Sequence, residues 1–112
     1  MSEVSKDTQQ KISQLQVFEQ SMQNLLLQKQ QFQQQLIEID SALEELKSTE
    51  KAYKIVGNIM VASKKEDLDK DLKQKKEMVE LRIKTLEKQE AKIKEKASEM
   101  QAEVLKDIKG KE

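Results

Sequence analysis

The residue types that most often carry chemistry are nearly missing from this sequence. There is no His and no Cys, which excludes imidazole and thiol catalysis and zinc sites built on those ligands. The two glycines, Gly57 and Gly110, stand far apart, so no Gly-rich phosphate loop can be assembled from them. Carboxylates are plentiful but interleave with Lys, the pattern of charge-pair partners on a solvated helix rather than of a general acid and base. Stacking on nucleic acid requires aromatic platforms, and the chain offers only Phe18, Phe32 and Tyr53. Lysine clusters such as Lys73-Gln74-Lys75-Lys76 are interspersed with Asp and Glu and read as solvated surface. No enzymatic reading survives, and neither a cofactor nor a metal is expected.

With catalysis excluded, the secondary-structure elements themselves must carry the function. The chain is 36% apolar and 38% charged, a lean core and a heavily charged surface for a domain of 112 residues. It has no Pro, and its abundant Ala, Glu, Lys, Gln, Leu and Met all favour helix. The 21 basic and 21 acidic residues cancel, leaving no global field to draw in nucleic acid. Their distribution is uneven: residues 1–50 hold four Lys against eight acids, and residues 51–112 hold 17 basic groups against 13 acids. Folding the two halves against each other cancels that difference. The absence of Cys fits a reducing compartment. The opening Met-Ser-Glu-Val-Ser-Lys has no apolar signal core, and no apolar run approaches the roughly 18 residues of a membrane span. A single domain over residues 1–112 in the cytoplasm is the expectation.

Two heptad series define the helices. In the first, Leu15, Met22, Lys29, Leu36 and Leu43 occupy one seam position, and Phe18, Leu25, Phe32, Ile39 and Leu46 the other. The alternation of three and four never slips, which is the pattern of a coiled coil. The phasing persists through the Gln-rich stretch that includes Gln28, Gln30, Gln31, Gln33, Gln34 and Gln35, so that stretch reads as a solvated helix face. In the second series Leu72, Val79, Leu86, Ile93 and Met100 form one column, and Lys76, Ile83, Glu90, Ala97 and Val104 the other. The spacing predicts helices over about residues 8–49 and 65–108, with short frayed termini. Each is roughly 55–65 Å long at 1.5 Å per residue. Neither can bury its stripe alone.

Between them the chemistry changes. Residues 52–62 are rich in β-branched side chains, and Gly57-Asn58 separates two short apolar runs, the signature of a two-residue hairpin turn. Ser63 with Glu66 forms a candidate capping box for the second helix, with Lys65 or Asp67 as alternative starting points. The expected fold is mainly α: a long antiparallel two-helix coiled coil with a short β-hairpin at the bend. An isolated hairpin is marginal in water, and this one would leave edges and apolar side chains exposed. A sheet shared among subunits would close those edges, so Tyr53, Ile55, Val56, Gly57, Ile59, Met60 and Val61 are the candidate oligomerisation element.

Tyr53-Lys54-Ile55-Val56-Gly57 followed by Ile59-Met60-Val61 resembles the hairpin of the prefoldin β subunit family. The segment from Lys75-Lys76-Glu77-Met78-Val79 to Lys88-Gln89-Glu90 resembles the start of that family's second helix. The likeness covers about residues 9–108, and a single hairpin is similar to the β rather than the α type, in its archaeal form. The resemblance implies a heterohexamer of two α-type and four β-type subunits whose hairpins build an oligomeric β-barrel platform. It further implies an ATP-independent chaperone that captures unfolded polypeptides at the coiled-coil tips and delivers them to a group II chaperonin. A structural coiled-coil scaffold or spacer without clients is the alternative, and it leaves an exposed hairpin without a purpose. Nucleic acid and membrane are not expected partners.

In a helical hairpin both termini lie together. Ile12, Leu15, Val17 and Phe18 then meet Met100, Val104, Leu105 and Ile108. These residues either continue the seam or, on splayed helices, form an adaptable apolar surface for clients, with flexible Met100 assisting. A second expectation concerns the polar seam residues Lys29 and Glu90. They fall in neighbouring layers whether Leu43 lies beside Leu72 or beside Val79, and an opposite-charge pair there would specify register more than stability.

Overall fold

The computed structural model describes residues 5–110; of the short termini expected to fray, residues 1–4 and 111–112 lie outside the described residues. The order is helix α1 (Lys6–Ser48), strands β1 (Ala52–Val56) and β2 (Ile59–Ser63), then helix α2 (Lys65–Lys109). Every seam position named above is buried or half-buried, so the heptad period is the period of the fold. The residues group into two compact units, one formed by the chain up to Gln28 and from Thr85 onward, the other by Lys29–Lys84.

In the unit spanning residues 29–84 the helix contacts run antiparallel. Lys47 offers its carbonyl to Lys65 Nζ at 3.3 Å, Asp40 pairs with Lys76 at 2.8 Å, and the Arg82 guanidinium lies over the Phe32 ring, 5.6 Å from its centroid. Partners on α2 thus rise in number as those on α1 fall. This progression fits Leu43 beside Leu72, not Val79. Val79 and Ile83 are buried here. Lys76, although it occupies a seam position, keeps its charge by lying along the seam and reaching Asp40 at the edge.

The helix ends follow from local hydrogen bonding. The last turn of α1 leaves carbonyls without amide partners, and side chains take them up: Thr49 Oγ1 donates to the Glu45 carbonyl at 2.7 Å and Ser48 Oγ donates to the same oxygen at 3.3 Å. The capping box expected at Ser63 does not form. Ser63 is the last residue of β2, paired with Ala52, and α2 opens one residue later, with the Leu68 amide donating to the Lys64 carbonyl at 3.1 Å. Strand pairing has taken the residue that sequence assigned to the cap. Glu66 and Asp67 still occupy the first turn of α2, where the helix dipole favours them.

Strands β1 and β2 pair antiparallel, with Val56 opposite Ile59, so Gly57 and Asn58 alone make the turn. Gly57 has φ +63°, and no other described residue has a positive φ. Positive φ at the first central residue only is the type II′ pattern, whose twist suits a hairpin.

Candidate functional site: paired helix ends and hairpin

In the unit holding the helix ends, α1 starts on a cap. The Thr8 amide donates to Ser5 Oγ at 3.1 Å, and the two hydroxyls lie 2.9 Å apart. Thr8 Oγ1 donates to Asp107 Oδ2 on α2 at 3.2 Å. Its single proton is spent there, so Ser5 must be the donor in the hydroxyl pair. Lys11 Nζ reaches the same Asp107 oxygen at 3.1 Å, Asp7 at 3.4 Å and Glu103 at 3.5 Å. The hydrogen bond from Lys11 to Asp107 is the main reason the lysine's pKa is raised above 10.5, with Asp7 adding to it. Thr8 is only 2% exposed.

This polar cluster escaped the sequence reading, although the signal was there. Thr8 and Lys11 precede Leu15 and Phe18 by one heptad, and Asp107 follows Met100 by one heptad. The seam does not stop where its apolar residues stop; it continues with polar ones. Of the two alternatives at this end, a continued seam or splayed helices, the described residues have the continued seam, with α1 and α2 tied together there.

The apolar residues near these ends divide by exposure. Val104 is buried, so it supports the surface from beneath. Ile12, Leu15, Phe18 and Met100 are half-buried. Val17, Leu105 and Ile108 stand in solvent, exposed by 53%, 57% and 39%. Farther along α1 in the same unit, Leu26 and Leu27 are exposed as well. Lys29 and Glu90 are both half-buried seam residues, Lys29 in the unit that holds the hairpin and Glu90 in the unit that holds the helix ends.

The hairpin is apolar on both faces. Its register places Tyr53 and Ile55 with Ala62 and Met60 on one face, and Lys54 and Val56 with Val61 and Ile59 on the other. Tyr53, Ile55, Val56, Ile59, Met60 and Val61 are 47–70% exposed. Among the described residues the sheet has two strands, and none of them pairs with the outer edge of either. The hairpin's one charge, Lys54, lies 3.9 Å from Asp71 of α2. Contiguous exposed apolar surface of this kind marks an interaction site.

Among the described residues, no helix is long and apolar enough to cross a membrane. Comparison with known proteins agrees with this geometry. The family model for prefoldin subunits matches residues 9–111. The chain is similar to a prefoldin subunit β of Archaeoglobus fulgidus, 42% identical over 90% of each chain. It is also similar to one of Pyrobaculum islandicum, 32% identical over 96% of this chain and 89% of the other. The crystal structure of the prefoldin β subunit from Thermococcus strain KS-1 matches with a TM-score of 0.87 at 34% identity, covering 93% of this chain and 94% of that one. Prefoldin subunits are chaperone components rather than enzymes, and family members assemble into oligomers with other prefoldin subunits. A two-helix chain with a single exposed hairpin, matched over nearly its whole length by these proteins, belongs to the prefoldin β subunit family.

Proposed function

We propose that this chain is a holdase subunit that works without ATP. It captures unfolded polypeptides on apolar surface at its paired helix ends and delivers them to a group II chaperonin in the cytoplasm. Four such chains join two α-type subunits, and their hairpins share strands in a β-barrel platform. The observation that carries this reading is the exposure of Val17, Leu105 and Ile108 around a seam that is closed beneath them. Solvent-exposed apolar side chains on a charged, lean-cored chain bind non-specifically to other exposed apolar segments, which unfolded clients present and folded proteins do not.

The hairpin supports the assembly half of the reading, since its two apolar faces and open edges are stabilised by strands from other subunits. A plain spacer would use neither feature. The test is a triple variant, Val17→Ser, Leu105→Ser and Ile108→Ser. These surface positions contribute little to folding, so each change should shift stability by no more than about 0.5 kcal/mol. The expected result is an assembly of unchanged size that no longer suppresses aggregation of a denatured client. Undiminished suppression would place the client surface elsewhere.

A further inference from the structure

The polar cluster at the helix ends is built against local rules. Asp107 sits in the last turn of α2, where its own helix dipole disfavours a carboxylate. Its partners Thr8 and Lys11 lie near the start of α1, whose dipole favours that carboxylate. Lys11, in the second turn of α1, brings a cation to Asp107 from the other helix. Asp107 is misplaced on its own helix and well placed only against α1, while Lys11 has Asp7 on its own helix and gains Asp107 and Glu103 from α2. Residues that break a local preference for a tertiary contact are expected where function demands it.

The position of the cluster suggests what the demand is. Val104, one turn before Asp107, is buried, and Leu15, Phe18 and Met100 are half-covered. Separating the first turns of α1 from the last turns of α2 would expose all four. Packing there is thin: the outermost seam layer consists of Thr8, Lys11 and Asp107, so the closing force is a few hydrogen bonds and ion pairs rather than apolar area. From this geometry we infer that Ser5, Thr8 and Lys11 of α1 and Asp107 of α2 form a clasp that gates the client surface. Closed, the chain offers only the rim of Val17, Leu105 and Ile108; opened, it adds the seam residues beneath.

This inference rests on the holdase reading and adds its regulation. A client that binds the opened ends must bear the cost of opening, so its apparent affinity falls by the fraction of chains that are open. Weakening the clasp raises that fraction and tightens holding. The clasp works in the opposite sense to a binding residue, because its removal is a gain.

The test uses the full chain in its assembled state and three forms. Thr8→Val keeps the side-chain shape and removes the hydroxyl. Asp107→Lys sets two cations against each other. Asp107→Lys with Lys11→Glu restores opposite charges across the two helices, with the new carboxylate one turn from Asp7 making the restoration partial. Hydrogen exchange is followed over residues 6–18 and 100–109, with 52–63 as the internal reference, alongside suppression of aggregation of a chemically denatured client. Thr8→Val should speed exchange at the helix ends about tenfold, the worth of one hydrogen bond to a charged group, and Asp107→Lys by more, since it removes the bonds from both Thr8 and Lys11. The concentration of chain needed for half-suppression should fall severalfold, and the double variant should return both readouts towards wild type. Unchanged end exchange in both single variants overturns the clasp. Faster exchange with unchanged or poorer holding overturns the gate. If no form holds client, wild type included, the holdase reading fails and the gate with it, while the exchange data still show whether the clasp exists.

Discussion

Replacing Leu86 by Ala removes a side chain that is 7% exposed, in the unit that also contains Leu25 and Val104. Leu→Ala changes in protein cores cost about 2–5 kcal/mol, the spread reflecting how far the surroundings collapse into the space left behind. A seam between two helices is a single layer, and no large side chain among the described residues is less than 2% exposed, so collapse and water entry are both easy. The expected loss is therefore at the low end, about 2–3 kcal/mol. Leu27→Ala is the matched control: the same chemistry in the same unit at 59% exposure. It forfeits little burial, and the better helix propensity of Ala offsets part of that, so its effect should stay within about 0.5 kcal/mol. Urea unfolding followed by far-UV circular dichroism measures both, at one fixed chain concentration because assembly contributes to apparent stability. Equal losses from the two substitutions would refute the seam assignment.

Three further outcomes follow from the same structure. Gly57→Ala should cost about 1–2 kcal/mol through backbone strain alone, since an added Cβ meets nothing within 4 Å; faster amide exchange confined to residues 52–63 would register it. Ile55→Asp with Ile59→Asp should leave helicity intact and reduce the size of the assembly in sedimentation, because unpaired charge within a shared barrel is costly. The hydrogen bond from Lys76 to Asp40 raises the lysine's pKa above 10.5, so its contribution is complete below about pH 10.5 and disappears as pH rises through the folded-state value. The stability difference between wild type and Asp40→Asn should accordingly be flat up to that range and vanish beyond it.

Most of the fold was legible because it is periodic. The heptad positions from Leu15 to Leu46 and from Leu72 to Val104 are the positions that the structure covers, and Gly57-Asn58 identified the turn because positive φ has few other hosts. What escaped was local competition. Ser63 looked like a cap by its spacing to Glu66, but a backbone that can pair with Ala52 is drawn into the strand first. At the helix ends Thr8, Lys11 and Asp107 drew no reading, because polar residues at seam positions are silent in a hydrophobic pattern. Once helices are tied there, the apolar residues nearby separate into buried Val104 and exposed Val17, Leu105 and Ile108, a division that composition cannot express. In the proposed platform the hairpin's two apolar faces are covered by other chains, whose surfaces this sequence does not encode.

The central claim is that this chain keeps unfolded proteins from aggregating. Light scattering of a chemically denatured protein diluted into buffer tests it most directly, with and without this chain together with an α-type prefoldin subunit, and with no nucleotide present. The account predicts that scattering falls in proportion to the assembled complex added and that ATP changes nothing. Scattering that rises as fast with the complex as without it would contradict the account and leave a coiled-coil spacer in its place.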